Sequence, residues 1–409
     1  MPRVLLVTTN FWPEPTGIAI YTTDLVETLN CFGFKMSVLT SLPHYPWWYV
    51  PKEFSHITEG VSIQDAVSIF RASHLIPSKM NALMRIRFEA SLWRNLRRVS
   101  KKLTGCDFDV VISCIPTLAA GMVGQKYAKR EGVPFGLIVQ DLSGAGAKQS
   151  GLRGGALISK FALAIEGAVL KRADSVVVVS PVMRDVVLDM GVESSRVLQI
   201  ENYSTRDIKQ IDKVTARANF GLESDIFLVL HTGNMGAKQN LENVVKAAKA
   251  LDKNSKIRIY LVGHGNQEAK LKTLCRGLDN IFMMDAVPDN RYSALLSAAD
   301  LLLINERATQ MEMSLPSKLT SYLYAKRPVL AAVPRDGATW KFLEGKAELV
   351  EAENPELLAN AITNLSHNPR RRIELATKGF EFANRQLSPE IGRKKYLDWV
   401  NRLIELKDV

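Results

Sequence analysis

Short apolar runs alternate with amphipathic stretches along the whole chain. Ser175–Ser180, which reads Ser-Val-Val-Val-Val-Ser, is the clearest apolar run of the first half, because consecutive valines suit a strand buried on both faces. A helical pattern over Gly17–Leu29 separates two earlier runs. The strand-like runs of this half are Arg3–Thr8, Met36–Leu39, Val110–Ser113, Phe135–Val139 and Ser175–Ser180.

The second half repeats this alternation. Its strand-like runs are Ile226–His231, Ile257–Gly263, Leu301–Asn305 and Pro328–Val333, and its helical stretches are Leu241–Leu251, Gln267–Cys275 and Arg291–Ala298. Alternating strand and helix units of this length predict parallel sheets covered by helices on both faces, and two such sheets require two domains.

Two interruptions of the pattern suggest where the domains end. Asn202–Glu223 is polar and has no sustained apolar period, and Leu387-Ser388-Pro389 precedes a last helical stretch. We therefore predict an α/β chain with two Rossmann-like domains, 1–205 and 206–386, that face each other across a cleft. The C-terminal helix, 387–409, is expected to pack back on the first domain.

Composition adds few constraints to this picture. The 409 residues are 46% hydrophobic, and four cysteines without CxxC spacing indicate neither a zinc site nor a disulfide framework. No run approaches the roughly 18 apolar residues of a membrane span, and the short apolar run after Met1-Pro2-Arg3 is not typical of a signal peptide. We expect a cytoplasmic protein, free or peripheral on the inner face of the cytoplasmic membrane.

The net charge of +11 is concentrated in one segment. Between Ser78 and Gly105 eight basic residues face one acid, which supplies +7 of the total. Apolar residues three or four apart lie between these charges, at Leu83, Ile86, Ala90, Trp93, Leu96 and Val99. Residues 80–103 thus predict a basic amphipathic helix that suits anionic lipid headgroups, or equally one whose apolar stripe faces the core. Charge confined to one element argues against a nucleic-acid partner.

Ligands of Rossmann-like sheets bind in the loops at the carboxyl ends of the strands. Two such loops of the second half carry lysine. Lys238 follows Gly233, Asn234 and Gly236, and at a helix start its charge would oppose the helix dipole unless an anion is bound. Lys318 follows Pro316, which at a helix start leaves the amides of residues 317–319 open for an anion.

Other loops give weaker signals. Gly263 and Gly265 follow a predicted strand, and Gly17 precedes the first helix, where a bare backbone can approach a phosphate or can simply turn. Asp141 ends a buried strand, where an acid either faces a cleft or caps the next turn. His44 lies among aromatic residues and is either a cleft residue or a packing residue. Asp107-Phe108-Asp109 matches a metal-binding DxD pattern but precedes a strand, so it should lie at the wrong edge of the sheet.

These motifs together resemble the family 4 glycosyltransferases. The residues that carry the resemblance are Thr232–Gln239, Pro316–Val329, Phe11–Glu14 with Gly17, and Gln140-Asp141, and the best match is the branch of colanic-acid and related exopolysaccharide synthesis. The resemblance implies a GT-B fold, a nucleotide-sugar donor, retention of anomeric configuration, and neither a cofactor nor an obligatory metal. A lipid-linked glycan acceptor would reconcile the family with the basic segment.

The resemblance also implies roles for individual residues. Catalytic roles fall to Asp141, Lys238 and Lys318, and acceptor or cleft contacts to Thr16 and His44. Donor contacts fall to Gly17, Gly233, Asn234, Gly263, Gly265, Glu312, Ser314, Pro316, Ser317, Leu319 and Thr320. Where the family has two glutamates eight positions apart, this chain has Met313 and Ser321, with Glu312 one position from the first. A nonhydrolysing sugar-nucleotide epimerase of the same fold and a basic lipid-binding module remain as alternatives.

Overall fold

The computed structural model describes residues 1–15, 17–57, 59–77, 81–103, 105–142, 156–204, 207–252, 255–309 and 315–408. The chain forms two compact units. The first consists of Met1–Thr205 together with Glu390–Val409, and the second of Arg206–Pro389. Each unit is built on one sheet with helices packed against it, which confirms the predicted α/β class.

The first unit contains an eight-stranded sheet in the order β3-β4-β2-β1-β5-β6-β7-β8, in which β3 alone runs antiparallel to its neighbour. The strands are β1 (Arg3–Val7), β2 (Lys35–Ser41), β3 (Glu59–Gln64), β4 (Val67–Ala72), β5 (Val110–Ile115), β6 (Phe135–Val139), β7 (Ser175–Val178) and β8 (Val197–Gln199). The helices are α1 (Ile18–Cys31), α2 (Ala82–Ser100), α3 (Leu118–Glu131), α4 (Ala156–Lys171), α5 (Pro181–Asp189) and, at the end of the chain, α14 (Pro389–Glu405).

The last helix, α14, completes the core of the first unit. Trp399, Val400 and Leu403 are buried among side chains of β1, β2 and β5, and the Trp399 indole donates to the Ser175 hydroxyl at 2.9 Å. Just beyond the helix, Lys407 binds the Asp109 carboxylate, which also accepts from the backbone amide of Arg3. The second acid of the DxD pattern therefore anchors both chain termini at the amino edge of the sheet.

The second unit contains a six-stranded, wholly parallel sheet in the order β11-β10-β9-β12-β13-β14. Its strands are β9 (Phe227–Thr232), β10 (Ile257–Val262), β11 (Ile281–Met284), β12 (Leu301–Asn305), β13 (Val329–Val333) and β14 (Glu348–Glu351). Its helices are α6 (Lys213–Ala218), α7 (Glu242–Ala250), α8 (Glu268–Cys275), α9 (Asp289–Ala298), α10 (Lys318–Tyr324), α11 (Ala338–Leu343), α12 (Pro355–His367) and α13 (Pro369–Gln386).

The strands at the centre of each sheet coincide with apolar runs of the sequence. All residues of β5, β6, β12 and β13 are buried, as expected for parallel strands covered by helices on both faces. Within the described part of the chain, none of the helices has the length and apolar character needed to cross a bilayer.

Candidate active site

Lys318 opens α10 and meets a histidine at the end of β9. Its ammonium nitrogen lies 3.1 Å from Nε2 of His231, which is fully buried. Nδ1 of the same ring lies 3.0 Å from the Leu303 carbonyl of β12. Because a carbonyl only accepts hydrogen bonds, Nδ1 carries the ring proton, and Nε2 is left as an acceptor for Lys318. The pair is therefore a cation donating to a neutral imidazole.

Burial lowers the pKa of His231 well below its ordinary range, and the neighbouring Lys318 charge lowers it further. Burial also lowers the pKa of Lys318 to about 7, against the opposing effect of Glu306. Lys318 as a residue is partly exposed, while its ammonium group is enclosed by protein. A bound anion would restore the charged form, because opposite charge favours ionisation.

The same ammonium lies over the glycine loop that follows β9. A β-carbon built on Gly233 would be 3.5 Å from the Lys318 nitrogen, which is an ordinary contact distance, and the φ of +108 at Gly233 favours glycine. Tyr322, one turn along α10, accepts the backbone amide of Thr232 at 2.7 Å. Tyr292 of α9 lies 3.0 Å from the Thr232 hydroxyl. These bonds fix α10 against the end of β9, so that the lysine and the glycine loop are held together.

His231, Tyr322 and Tyr292 are site residues that the sequence analysis missed. A histidine that interrupts the apolar run of β9 was the available signal, since a buried polar side chain requires a partner. The two tyrosines have no such signal, because tyrosines on amphipathic helices are usually packing residues.

Gly263 and Gly265 are explained by loop packing. A β-carbon on Gly263 would lie 2.0 Å from the Gly233 carbonyl oxygen, and one on Gly265 would lie 2.4 Å from that of Met235. The Met235 amide donates to the His264 carbonyl at 2.8 Å, which joins the two loops. The backbones approach so closely that only glycine fits at 263 and 265. Donor contacts by these two glycines and by Asn234, which is exposed in the same loop, stay predictions.

Lys238 does not lie where the sequence analysis put it. It belongs to a short 3-10 turn, Ala237–Gln239, that ends at Asn240 in a left-handed conformation, and α7 begins only at Glu242. Lys238 therefore lies outside the first turn of α7, to which the effect of the helix dipole is confined, and the prediction that it opposes this dipole is wrong. Lys238 is an exposed lysine whose carbonyl accepts the Arg307 amide at 2.9 Å.

The loop before α10 also differs from the expectation. The Leu319 amide donates to the Pro316 carbonyl at 2.9 Å, so it is not open to an anion as predicted. Leu319 lies in the core, and the hydroxyl of Thr320 is buried and donates to the Ser317 carbonyl. Pro316 is partly exposed and Ser317 exposed. Thr16, Glu312, Met313 and Ser314 fall outside the described residues, so their predicted roles stay predictions.

In the first unit, Glu14 organises the loop that follows β2. Its buried carboxylate accepts the amides of His44 and Tyr45, at 2.8 and 2.9 Å, and the side-chain amide of Asn10 at 2.7 Å. Burial lowers the pKa of His44, and Glu14 opposes this effect. His44 is thus a buried, bonded side chain. Gly17 has φ +67, which favours glycine, and a β-carbon there would lie 3.3 Å from the Tyr45 ring.

Asp141 follows β6, next to an anchored glutamine. Gln140 and Asn202 exchange two side-chain hydrogen bonds, of 3.1 and 2.8 Å. A cap on the following turn, considered from the sequence, would involve residues outside the described ranges. The partly exposed Asp141 carboxylate accepts the amide of the next residue, Leu142, at 2.8 Å. Its predicted catalytic role stays a prediction.

The predicted basic helix forms as α2, with its apolar residues divided between two faces. Phe88, Leu92, Leu96 and Val99 are buried, while Leu83 and Ile86 are 55% and 44% exposed. The single apolar stripe predicted from the sequence is therefore wrong. What we call the outer face of α2 consists of Leu83, Ile86, Arg87, Ala90 and Arg94, all of them exposed. On the buried face, Phe88 contacts the ring of His44, which also contacts the 41% exposed Trp48.

One group of described residues could hold a metal ion. Ligand atoms of His264, Glu268 and Asp285 lie within 4.8 Å of one another. The group is largely exposed, and Glu268 already binds Lys272 at 2.7 Å. Such a carboxylate is neutralised by its own lysine. The cluster gives no reason to replace the prediction of a metal-independent site.

Two family models match the chain. Residues 212–382 match glycosyl transferases group 1, and residues 16–203 match the glycosyl transferase 4-like domain. The chain is 27% identical to the putative colanic acid biosynthesis glycosyl transferase WcaI of Escherichia coli (strain K12), over 97% of this chain and 99% of that protein.

Solved structures show the same architecture. Sucrose-phosphate synthase from Thermosynechococcus elongatus superposes with a TM-score of 0.75 at 17% identity, covering 99% of this chain and 100% of that one. HepE of Anabaena in complex with UDP-glucose superposes with a TM-score of 0.70 at 14% identity, covering 98% and 100%. At these identities the likeness concerns the fold.

Proposed function

The chain belongs to the family 4 glycosyltransferases, which have the GT-B fold, and we propose that it transfers a sugar from a nucleotide-sugar donor to a lipid-linked glycan acceptor. We place this reaction in bacterial exopolysaccharide or surface polysaccharide synthesis, with retention of anomeric configuration. The colanic acid relative and the UDP-glucose complex of a structural neighbour support the pathway and the donor class. Family membership decides against the epimerase and the non-catalytic lipid-binding module.

The Lys318 ammonium above Gly233 is the observation that carries the donor assignment. It combines a lysine enclosed by protein, a bare backbone, and a position at the carboxyl edge of a parallel sheet, where ligands of such sheets bind. A departing nucleoside diphosphate gains negative charge, and one preorganised donor group is worth about 10²–10³ in rate. We assign this stabilisation to Lys318, with Lys238 of the same glycine loop as a second, exposed cation.

We propose that the acceptor binds to the first unit. Asp141 is a partly exposed carboxylate at the carboxyl end of β6, beside the anchored Gln140–Asn202 pair. A carboxylate there can accept a hydrogen bond from a sugar or acceptor hydroxyl. We propose this role for it, and we propose that the reaction requires neither a cofactor nor a metal.

The outer face of α2 is the proposed contact with an anionic membrane. Exposed leucine and isoleucine beside exposed arginines combine the apolar and basic groups that interfacial helices use. This contact would bring the enzyme to a lipid-linked acceptor.

A transfer assay tests the activity. A panel of nucleotide sugars is incubated with the protein in EDTA, with and without a lipid-diphosphate-linked glycan, and products are identified by mass spectrometry. We expect transfer only when acceptor is present, a loss of about 10²-fold or more in K318A, and a smaller loss in K238A. K341A, which removes an exposed lysine of the same unit, is the matched control. Full activity in both K318A and K238A would refute the diphosphate assignment.

Liposome flotation tests the membrane contact. The double variant R87E/R94E should lose binding to vesicles containing phosphatidylglycerol, because each basic residue near an anionic surface contributes about 1 kcal/mol. K246E/K249E makes the same change in net charge on exposed lysines of α7 and should still bind. Equal binding by both double variants and the wild type at moderate salt would contradict the assignment.

A further inference from the structure

His231 is a fully buried polar side chain whose two ring nitrogens both have partners. Nδ1 is fixed on the Leu303 carbonyl of the neighbouring strand, and Nε2 faces the Lys318 ammonium. Burying an imidazole in the centre of a sheet is costly, and the bond to Leu303 alone would satisfy only one of its two nitrogens. The second nitrogen lies against Lys318, whose ammonium in turn lies beside Gly233 of the glycine loop, where the donor is proposed to bind.

We propose that His231 is a positioning residue that holds the Lys318 ammonium above Gly233, so that a donor diphosphate meets a cation already in place. The proposal rests on the proposed function, because it takes Lys318 as the group that binds the diphosphate. His231 itself is separated from the ligand by the lysine and has no part in the chemistry.

The need for such a residue follows from the lysine side chain. A lysine has four rotatable bonds and an ammonium that donates in any direction, so by itself it does not present its charge at one point. The imidazole removes this freedom, because its own orientation is fixed by the Leu303 carbonyl and by burial on all sides. The fixed direction of the Nε2 lone pair then defines where the ammonium lies.

The groups around Lys318 also decide its protonation. Glu306, after β12, favours the charged form, while burial disfavours it. Glu306 itself accepts from the Thr339 hydroxyl at 2.9 Å, so its position is fixed by another element. The His231 lone pair accepts a hydrogen bond from the ammonium, which favours the charged form. Without that acceptor, Lys318 should lose its proton at lower pH than in the wild type.

Two substitutions separate the acceptor from the rest of the ring. In His231→Asn the amide can still donate to the Leu303 carbonyl but does not reach Lys318. In His231→Gln the longer side chain can place its carbonyl oxygen where Nε2 was, and so keep an acceptor for the ammonium. His367→Asn, at an exposed histidine at the end of α12, is the matched control for the same chemical change in the same unit.

Protonation of Lys318 is measured without any turnover, by acetic anhydride labelling over a pH series with peptide mass spectrometry. The wild-type midpoint should lie near 7. We expect H231N to move it lower by about one pH unit, since one hydrogen bond to a charged group is worth roughly that much, and H231Q to lie between the two. In the transfer assay, H231N should raise KM for the donor about tenfold and change kcat less.

The outcomes distinguish this inference from the function on which it rests. If K318A leaves donor kcat/KM unchanged, the proposed diphosphate site fails, and this inference fails with it. If K318A lowers donor kcat/KM but H231N matches the wild type in both the labelling midpoint and donor kcat/KM, only the positioning role of His231 is overturned. Circular dichroism verifies folding, and His231→Ala, which also removes the acceptor, supplies the same test should H231N not fold.

Discussion

Replacing Gly392 by alanine should destabilise the first unit, because the last helix packs on it at this residue. A β-carbon on Gly392 would lie 2.0 Å from the ring of Tyr203. The ring cannot swing away, since Tyr203 is buried and its hydroxyl binds the Asp24 carboxylate at 2.5 Å. The same carboxylate pairs with Arg393 of α14, so the ring and the helix are tied to one group.

The expected magnitude follows from two opposing effects. Overpacking of a buried contact costs about 1–3 kcal/mol, and sometimes more when nothing can relax. Alanine in a helix interior recovers about 0.5–1 kcal/mol relative to glycine. Because the Tyr203 ring is held in place, the cost should lie at the upper end of the overpacking range. We therefore expect a net loss of about 2 kcal/mol, which corresponds to a fall of about 4–8 °C in the melting temperature of a unit of this size.

Differential scanning calorimetry checks this prediction, with G167A as the control. Gly167 also lies inside a helix of the first unit, α4, but a β-carbon there would have no atom within 4 Å. G167A should therefore melt at the wild-type temperature or slightly above it. If G392A and G167A melt together, α14 is not packed on Tyr203 as described, and the reasoning is refuted.

Three further predictions concern the loops and the candidate site. E14Q should lower the free energy of unfolding by about 2 kcal/mol and speed hydrogen exchange in the loop after β2, because the Glu14 carboxylate accepts three hydrogen bonds. The control E53Q, at an exposed glutamate, should change neither quantity. Measured by chemical denaturation, G263A should lower the free energy of unfolding by more than about 2 kcal/mol, since its β-carbon would lie 2.0 Å from a carbonyl oxygen. The control G277A has open space around its β-carbon, so it should lose only the backbone strain of about 1–2 kcal/mol. Donor kcat/KM should fall about tenfold per pH unit above about 7, as Lys318 of the free enzyme loses its proton, and a flat profile to pH 9 would contradict the role given to it.

The sequence predicted the centres of both sheets and missed their edges. The central strands consist of four to seven mostly apolar residues, and such runs differ clearly from the helices around them. The edge strands β8, β11 and β14 have only three or four residues, several of them partly exposed, so they carry too little pattern to detect. The sequence analysis also did not predict β3 and β4. Their apolar and polar residues alternate, so neither strand forms a continuous apolar run.

Local chemistry was predicted less well than the fold, and α2 shows why. Its apolar residues repeat every three or four positions, but two overlapping stripes fit the same spacing, and only the packed sheet decides which one is buried. Lys238 illustrates a second limit. A left-handed Asn240 delays the start of α7 by a few residues, and helix ends are the least certain part of any pattern.

Lys238 and Lys318 look alike in the sequence, since each lies in a loop that follows a predicted strand, but their surroundings differ in the folded protein. Lys238 is exposed in a 3-10 turn, and solvent screening weakens the attraction between an exposed charge and an anion. Lys318 is partly buried and has a histidine as its partner, so a diphosphate that arrives there meets an ammonium that burial has already partly desolvated. Charge in a water-excluded site interacts more strongly with a developing anion. Lys318 should therefore contribute more to transfer than Lys238, although the two residues look alike in the sequence.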